Sequence, residues 1–320
     1  MQGVQAAAVA AAKQVAARYG VESAEPAVLA DGANVIVHLR PAPVVAKVAA
    51  STPAVRPDVA RWLQRELDLA VFLGGEGIPV MAPSGEVPVT VHQGDGQVMS
   101  FWTFVEPSDA GRPGEAVIGS LLRDLHTALR RYPGPLPALA PLADIPAFLD
   151  RPRTQLSAAD RASLASAYAR LTADLAEYSP QPLHGDAGAG NLMAANGGWI
   201  WHDFEDTCTG PVAWDLAATT ASAYLDGSRV LAAYGEVPEQ LRTCEQLRRL
   251  HLTMWYSLYA ERLPQCRQRA DELLRLWRLG QEYYPAGGGA VGQPPQPVGD
   301  VAQRQPLADQ RPDRAGRDEP

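Results

Sequence analysis

Three side chains that could handle a metal ion and a proton follow one another closely in the sequence: Asp186, Asn191 and Asp203. Transfer of a phosphoryl group needs a carboxylate that accepts or orients the proton of the acceptor hydroxyl. It also needs an amide and a second carboxylate to hold Mg²⁺ on the nucleotide phosphates. The types and order of these residues indicate a catalytic aspartate at position 186, followed by a metal clamp formed by positions 191 and 203.

The residues between Asn191 and Asp203 predict a β-hairpin. Apolar residues stand on both sides of the Asn-Gly-Gly run at 196–198, which is typical of a tight turn. With a three-residue loop over 196–198, Asn191 falls directly opposite Asp203, with both side chains on the same face. Cross-strand neighbours of this kind are about 5 Å apart at Cβ, so we expect both to reach one cation.

The loop that contains Asp186 resembles the catalytic loop of the aminoglycoside phosphotransferase-like kinases, a family that shares the protein-kinase fold. The family pattern His-x-Asp-x-x-x-x-Asn is matched by His184, Asp186 and Asn191. Two glycines within the pattern, Gly188 and Gly190, predict an unusually flexible loop. The resemblance implies that Asp186 is the catalytic residue and that Asn191 is a metal ligand.

A second family pattern follows the hairpin. It consists of an Asp-aromatic-acid triplet, a Gly-Pro pair and a Trp-Asp-Leu-Ala helix start, matched at 203–205, 210–211 and 214–217. His202 departs from it, because the family has an aliphatic residue there. The resemblance makes Asp203 the second metal ligand, and Asp215 is expected to cap the new helix or anchor a loop. So few residues separate these segments that no peptide-docking activation segment fits, which favours a small-molecule acceptor.

The resemblance implies an α+β fold with two lobes. Residues 1–105 are expected to form a nucleotide-binding lobe with a small antiparallel sheet and one main helix. Residues 106–284 are expected to form a mostly helical lobe with the catalytic loop and the acceptor pocket. Residues 285–320 are rich in Gly, Pro, Asp and Arg and poor in apolar residues, so a disordered tail is expected there.

A strand, turn and strand pattern over residues 28–39 supplies a candidate phosphate-binding loop. Gly32 in the turn would let the backbone approach a phosphate, and the amides around Ala33 and Asn34 could cradle it. An ordinary hairpin turn would look the same. The position of this turn, just before a strand that carries a lysine, favours the nucleotide-binding interpretation.

That lysine is Lys47, which lies in the apolar strand 44–48. A lone cation in such a strand is costly unless it is paired or bound to a ligand. The next helix offers Glu66 beside its apolar stripe, whereas Arg65 and Asp68 are expected to face solvent. The resemblance implies that Lys47 contacts the α- and β-phosphates and that Glu66 holds it.

Residues 98–105 predict a strand that ends at Glu106-Pro107, and the runs 78–83 and 87–91 predict two more strands of the same sheet. The resemblance makes the end of the 98–105 strand the hinge between lobes. The carbonyl of Thr103 and the amide of Val105 would then meet the purine, with Trp102 behind it. A side chain of that size leaves little space for the adenine amine, so we expect GTP to serve as donor at least comparably with ATP.

Composition limits the remaining possibilities. The 320 residues carry a net charge of −8, which argues against general nucleic-acid binding. No apolar run reaches the roughly 18 residues that span a membrane, and residues 1–19 predict an amphipathic helix rather than a signal peptide. Three widely spaced cysteines favour reduced thiols in the cytoplasm. The protein is expected to be a monomer or a homodimer.

The acceptor is expected to be the hydroxyl of a small molecule, and the resemblance suggests an antibiotic. A polycationic aminoglycoside would need a strongly acidic pocket, but residues 241–284 contain eight arginines and five acids. This balance favours a neutral or anionic acceptor, such as a macrolide, a nucleoside-type antibiotic, or a metabolite sugar or amino alcohol. The arginines are Arg242, Arg248, Arg249, Arg262, Arg267, Arg269, Arg275 and Arg278.

Two other classes of function stay open at this point. A non-catalytic nucleotide-binding module would keep the fold without the reaction, although Lys47 and the three residues of the catalytic segments are all present. A metal-dependent hydrolase could instead use His184, Asp186, His202 and Asp203 as ligands. The hydrolase would leave Lys47 and its expected partner unexplained.

Overall fold

The computed structural model describes residues 2–280, apart from 110, 153, 176, 196 and 221–224. The tail expected over 285–320 lies outside the described residues. The N-terminal lobe contains a five-stranded antiparallel sheet whose strands lie in the order β1-β2-β3-β5-β4. The strands are β1 (Ala27–Asp31), β2 (Asn34–His38), β3 (Val44–Ala49), β4 (His92–Gly94) and β5 (Gln97–Thr103).

Side chains alternate between the two faces of this sheet, and each face packs on a different helix. One face packs its valines, Met99 and Phe101 on the alanine-rich face of α1 (Gln2–Ala17). The other face includes Val45 and Trp102, which pack on α2 (Val59–Gly75). Lys47 shares the second face because it follows Val45 by two residues, and its side chain therefore points toward α2 and the space between the lobes.

The strands predicted over 78–83 and 87–91 are absent from the sheet, and only isolated bridges at Val80 and Pro83 occur there. Prolines at 79, 83 and 88 remove the amide donors that a strand ladder needs, which accounts for the difference. Asp95 and Gly96 form the turn between β4 and β5. Both residues have positive φ, 48° and 74°, as a two-residue hairpin turn requires.

The C-terminal lobe is mostly helical, and the long helix α8 runs through its middle. Helix α8 packs against α4, α5, α6 and α9 with a face that includes Cys244, Leu247, Met254 and Leu258. The helices are α3 (Glu115–Leu129), α4 (Asp144–Leu149), α5 (Ala158–Asp174), α6 (Ala213–Thr220), α7 (Gly227–Tyr234), α8 (Leu241–Arg262) and α9 (Arg267–Arg278). No helix within the described residues is long and apolar enough to cross a membrane.

Two short strand pairs in this lobe hold the catalytic segments. Strand β6 (Gln181–Leu183) pairs with β9 (Cys208–Gly210), and β7 (Leu192–Ala195) pairs with β8 (Gly198–Trp201). The catalytic loop therefore connects β6 to β7, and the segment that begins at Asp203 connects β8 to β9.

The register of the β7–β8 hairpin corrects one prediction. Ala195 pairs with Gly198, so two residues separate the strands instead of three. Asn191 consequently lies opposite His202, whose amide donates to the Asn191 carbonyl at 3.0 Å, and it does not lie opposite Asp203. Asp203 follows β8 in the left-handed region, with φ 66° and ψ 54°, at the start of a short 3-10 turn. This turn, and not the hairpin ladder, directs the Asp203 side chain.

Candidate active site

The catalytic loop is fixed at a close approach between two backbone segments. Gly185 has φ 89°, and a Cβ at this position would lie 1.9 Å from the carbonyl oxygen of Asp206. No other residue fits here without moving the backbone. The next residue, Asp186, keeps 48% of its side chain exposed, so the carboxylate remains accessible while its backbone is confined.

Asp215 anchors this loop, as one of the two sequence-based possibilities predicted. Its carboxylate is buried and accepts hydrogen bonds from the amides of His184 at 2.8 Å and Gly185 at 2.9 Å. It also contacts His126 Nε2 at 2.8 Å. Burial acts to raise the pKa of Asp215, but the hydrogen bond and charge of His126 outweigh it and lower that pKa. The glycines at 188 and 190 therefore belong to a loop that is tied down at its start.

His184 is a structural residue of the loop. Its Nδ1 accepts from the Asp186 amide at 3.2 Å, and its Nε2 faces the carbonyl of His202 at 3.1 Å. A neutral imidazole protonated on Nε2 satisfies both contacts, in agreement with a pKa that burial lowers. Both ring nitrogens are engaged, so the four-ligand hydrolase site is not supported. Within the described residues, one group of acids lies close enough to share a cation, and it contains Glu66, Asp203 and Glu205.

Asn191 is tied to the catalytic aspartate. Its Nδ2 donates to the Asp186 backbone carbonyl at 2.7 Å and lies 3.2 Å from Asp186 Oδ2. Because the nitrogen end of the amide is held in this way, the oxygen end of Asn191 is the one that can face a cation. The structure thus brings Asn191 and Asp186 together.

The predicted contact between Lys47 and Glu66 is confirmed. Lys47 Nζ lies 2.8 and 2.9 Å from the two carboxylate oxygens of Glu66, and both residues are buried. The same ammonium lies 2.5 Å from Asp203 and 3.0 Å from Glu205. Burial acts to lower the pKa of Lys47, but these three carboxylates raise it well above its usual value. Lys47 is therefore a stable cation in the space between the lobes.

Arg56 is a second buried cation, and it was not predicted from the sequence. It follows β3 and forms ion pairs with Asp144 at 2.6 Å, Asp206 at 2.7 Å and Glu205 at 3.1 Å. Its guanidinium also lies 3.7 Å from the ring centre of Trp62. Arg56 thus connects the N-terminal lobe to α4 and to the segment after Asp203.

Glu205 joins the two cations. Its carboxylate contacts both Lys47 and Arg56 and accepts from Asn34 Nδ2 at 2.9 Å. Its backbone carbonyl accepts from Arg65 at 2.8 Å, so the expectation that Arg65 faces solvent is wrong. The sequence predicted no role for Glu205 beyond its place as the last residue of the Asp-aromatic-acid triplet.

The acids around these cations outnumber them. Lys47 and Arg56 together contact five carboxylates. Burial, reinforced by neighbouring acids, raises the pKa of Glu66 to about 8 and that of Asp206 to about 6. Burial also opposes ionisation of Asp203, yet the charge and hydrogen bond of Lys47 lower its pKa to about 2. Asp203 is therefore an anion with 41% of its side chain exposed.

The candidate phosphate-binding loop around Gly32 contacts the C-terminal end of α8. The Gly32 amide donates to the Asn34 carbonyl at 3.0 Å within the turn, so this amide is already occupied. Arg262, at the end of α8, donates to the Asp31 carboxylate and to the Gly32 carbonyl. The Asn34 side chain reaches Glu205, and its Oδ1 is a buried oxygen without a partner. The cradle formed by Ala33 and Asn34 stays a prediction.

The candidate hinge lies at the end of β5. Trp102 is buried against Val45 and α2, and its Nε1 donates to Ser100 Oγ at 2.8 Å. Trp102 shares the sheet face of Lys47, which is the register that its predicted place behind the base requires. The Thr103 amide donates to Ala82 at 2.9 Å, and Val105 lies two residues beyond the end of the strand.

Arg248 on α8 was also missed as a site residue. It was counted among the arginines of the C-terminal helices, which can face solvent, but its Nη2 lies 2.7 Å from Asp186 Oδ1. A signal for it existed in the sequence. Positions 244, 248, 251 and 255 lie on one helical face, so Arg248 stands on the same face as buried Cys244 and Trp255.

Comparison with known proteins identifies the family of the chain. The model of the phosphotransferase enzyme family matches residues 27–250. The chain belongs to the phosphotransferase enzyme family. It is thus an enzyme that transfers a phosphoryl group to a hydroxyl, and its two-lobed α+β fold is that of the protein kinases. No curated protein sequence matches the chain with significance.

Several solved structures share the fold at low sequence identity. An amicoumacin kinase in complex with AMP-PNP, Ca²⁺ and Ami has a TM-score of 0.64 and 12% identity, over 85% of this chain and 94% of that one. APH(2″)-IIIa in complex with GDP and kanamycin has a TM-score of 0.56 and 17% identity, over 81% and 95%. A choline kinase from Streptococcus pneumoniae has a TM-score of 0.57 and 16% identity, over 83% and 99%.

Proposed function

We propose that this phosphotransferase uses Mg²⁺ and a nucleoside triphosphate to phosphorylate a hydroxyl of a small molecule. One observation carries the proposal. An accessible carboxylate, Asp186, is bonded through Asn191 to the same hairpin that ends at Asp203, and Asp203 in turn contacts Lys47. Asn191, an amide that suits a metal ion, therefore contacts the proton acceptor Asp186, and Asp203, a carboxylate that suits the same ion, contacts a cation that could bind phosphate.

Each residue has a distinct role in this proposal. Asp186 receives the acceptor hydroxyl, and Lys47, positioned by Glu66, neutralises phosphate charge. The backbone around Gly32 and Asn34 approaches the phosphates. The carbonyl of Thr103 and the amide of Val105 bind the base at the hinge.

Asn191 and Asp203 would hold Mg²⁺. The donor set fits this ion, because it offers an amide oxygen and an ionised carboxylate, and hard divalent cations prefer oxygen ligands. The buried, unpartnered Oδ1 of Asn34 beside Glu205 adds another oxygen without a donor. Held by Asn191 and Asp203, Mg²⁺ would offset the negative charge that develops on the leaving group.

In the chemical step, the acceptor oxygen forms a bond to the γ-phosphorus while the bond from that phosphorus to the β-phosphate oxygen breaks. The hydroxyl proton passes to Asp186, late, because the transition state is loose. The products are a phosphate ester and a nucleoside diphosphate. The contribution of the chain is positioning and electrostatic stabilisation, and no covalent enzyme intermediate forms.

The charge of the C-terminal lobe supports a neutral or anionic acceptor. Two acids that could bind a polycation are already paired there, Glu261 with Arg151 and Glu272 with Arg269. Asp186 itself is paired with Arg248. An antibiotic of the macrolide or nucleoside type fits this balance better than an aminoglycoside, and a cytoplasmic resistance role would follow. The second candidate is a metabolite sugar or amino alcohol.

The donor is proposed to be GTP at least as readily as ATP. Trp102 fills the space behind the candidate hinge and faces the Lys47 side of the sheet. A purine pushed outward by this ring would present a 6-oxo group to the backbone amide of Val105, and guanine carries that group whereas adenine does not.

The test is a panel of acceptors with γ-³²P-labelled ATP and GTP, in the presence of Mg²⁺ or EDTA. The panel contains a macrolide, a nucleoside antibiotic, kanamycin, a hexose and choline. We expect labelled product with a neutral or anionic acceptor, only with Mg²⁺. Tight Mg²⁺-nucleotide binding without any transfer across the panel and without nucleotide hydrolysis would favour a non-catalytic nucleotide-binding module.

A further inference from the structure

Arg248 is held in a fixed position beside the catalytic loop. Its guanidinium donates from Nη1 to the Gly185 carbonyl at 3.2 Å and from Nη2 to Asp186 Oδ1 at 2.7 Å. It lies 4.7 Å from the ring centre of Trp214, whose indole donates to the same Gly185 carbonyl at 2.7 Å. Only 9% of the Arg248 side chain is exposed. The planar group is therefore fixed by a ring, a carbonyl and a carboxylate.

Asp186 would be free to rotate without these contacts. Almost half of its side chain is exposed, so solvent alone would leave its carboxylate in several orientations. Arg248 binds Oδ1, and Asn191 lies 3.2 Å from Oδ2 and holds the backbone carbonyl. The shorter and charged contact is the one to Oδ1, and a contact of that kind is the stronger of the two.

We propose that Arg248 is a positioning residue that fixes Asp186 through Oδ1 and turns Oδ2 toward the acceptor. This inference rests on the proposed function of the site. When the acceptor oxygen bonds to the γ-phosphorus and the bond to the β-phosphate oxygen breaks, the hydroxyl proton passes to Oδ2. Arg248 stays bound to Oδ1 and does not exchange a proton.

The geometry calls for arginine instead of lysine. A guanidinium can donate to the Gly185 carbonyl and to Asp186 at the same time while it lies over the Trp214 ring. An ammonium at this site can reach one oxygen well but cannot make both contacts in this fixed geometry. Arg248→Lys should therefore keep the charge but lose part of the orientation of the carboxylate.

The test uses hydrolysis of ATP and GTP with water as acceptor, so that it does not depend on the identity of the natural acceptor. The full-length parent is compared with Arg248→Gln, Arg248→Lys and Arg248→Ala. Arg242→Gln is the matched control, because Arg242 is exposed on the same helix and loses the same charge. Binding of a fluorescent nucleotide with Mg²⁺ is measured in parallel, and melting temperatures identify any variant that fails to fold.

We expect kcat to fall by about 100-fold in Arg248→Gln and by about tenfold in Arg248→Lys. The nucleotide affinity should stay within about twofold, and Arg242→Gln should match the parent. Added guanidinium should restore part of the rate of Arg248→Ala, and tetramethylammonium should not. If Arg248→Gln does not fold, the kcat of Arg248→Lys and the rescue of Arg248→Ala by guanidinium test the inference in its place.

Two results would overturn the inference in distinguishable ways. A parent that binds and turns over Mg²⁺-nucleotide, with Arg248→Gln and Arg248→Lys equal to Arg242→Gln, would remove Arg248 from the mechanism and leave the proposed function standing. A parent that neither binds nor hydrolyses Mg²⁺-nucleotide would refute the proposed function itself, and the role of Arg248 with it.

Discussion

The two sides of the candidate site differ in charge balance and in burial. On the donor side, two buried cations, Lys47 and Arg56, contact five carboxylates. On the acceptor side, Asp186 is half-exposed and is balanced by Arg248. These counts refer to the described residues. The donor-side carboxylates are Glu66, Asp144, Asp203, Glu205 and Asp206.

This difference assigns separate tasks to the two sides. Excess negative charge in a buried region is unfavourable, and it opposes the approach of a triphosphate unless a divalent cation is added. The acceptor side needs no added ion to keep its carboxylate in place. Changes on the donor side should therefore alter metal and nucleotide binding, whereas changes on the acceptor side should alter the rate of transfer.

The largest effect is expected for Asp186→Ala. Removal of the carboxylate that receives the hydroxyl should lower transfer by about 1,000-fold, while Mg²⁺-nucleotide affinity stays nearly intact. Turnover and nucleotide binding are measured side by side. The control is Asp124→Ala, a change of the same kind at an exposed position of α3. Loss of nucleotide binding together with transfer would assign Asp186 to the donor side, and it would contradict the separate tasks of the two sides.

Asp203→Asn should affect the donor side first. The variant loses an anionic ligand, so the Mg²⁺ concentration for half-maximal activity should rise by roughly tenfold or more. Asp124→Asn is the matched control, because it makes the same chemical change at an exposed position of α3. A Mg²⁺ titration of Asp203→Asn that superimposes on that of the parent would show that Asp203 is not a metal ligand.

Trp102→Ala tests whether the donor side also selects the base. Space behind the hinge should admit the adenine amine, so the ratio of kcat/KM for ATP to that for GTP should rise by about tenfold, or roughly 1.4 kcal/mol. Removal of a buried ring can cost about 3–5 kcal/mol of stability, so Trp102→Leu is measured beside it. A parent that strongly prefers ATP, with the ratio unchanged in both variants, would show that Trp102 does not select the base.

The smallest effect is expected for the stability of Asp206→Asn. The folded-state pKa of Asp206 is raised to about 6 by burial and by neighbouring acids, above its ordinary value of 3.8. The folded protein then binds the proton more tightly than the unfolded chain, so the ionised form destabilises the fold as pH rises through 6. Asparagine removes this penalty. The free energy of unfolding of the variant, relative to that of the parent, should rise by on the order of 1 kcal/mol between pH 5 and pH 7.5. Denaturant unfolding at the two pH values measures this change. The same difference in stability at both pH values would contradict the charge imbalance.

The sequence predicted the contacts that depend on local patterns. Lys47 was identified because a cation in an apolar strand needs a partner, and helical periodicity placed Glu66 where it could serve. Loop anchoring by Asp215 was also predicted, because it opens a helix directly after the catalytic segments. In both cases the distance along the chain is short or the secondary structure limits where the side chain can point.

The contacts that were missed depend on tertiary packing. Arg56 sits in an irregular segment, and no local pattern shows that residues 88 and 150 positions away will surround it. Arg248 meets Asp186 only because α8 crosses behind the catalytic loop. The hairpin register failed for a different reason. An Asn-Gly-Gly run is compatible with a two-residue or a three-residue loop. A register shift of one residue changes which residue lies opposite Asn191.

The need of the donor side for a divalent cation is the property that most clearly separates the two sides. Isothermal titration of ATP and GTP into the parent, with Mg²⁺ in one series and EDTA in the other, measures this need without an acceptor. We predict that affinity in EDTA is weaker by at least about 100-fold, or roughly 3 kcal/mol. Equal affinity in both series would show that the phosphates bind without a divalent cation, and it would contradict the proposed division between the two sides.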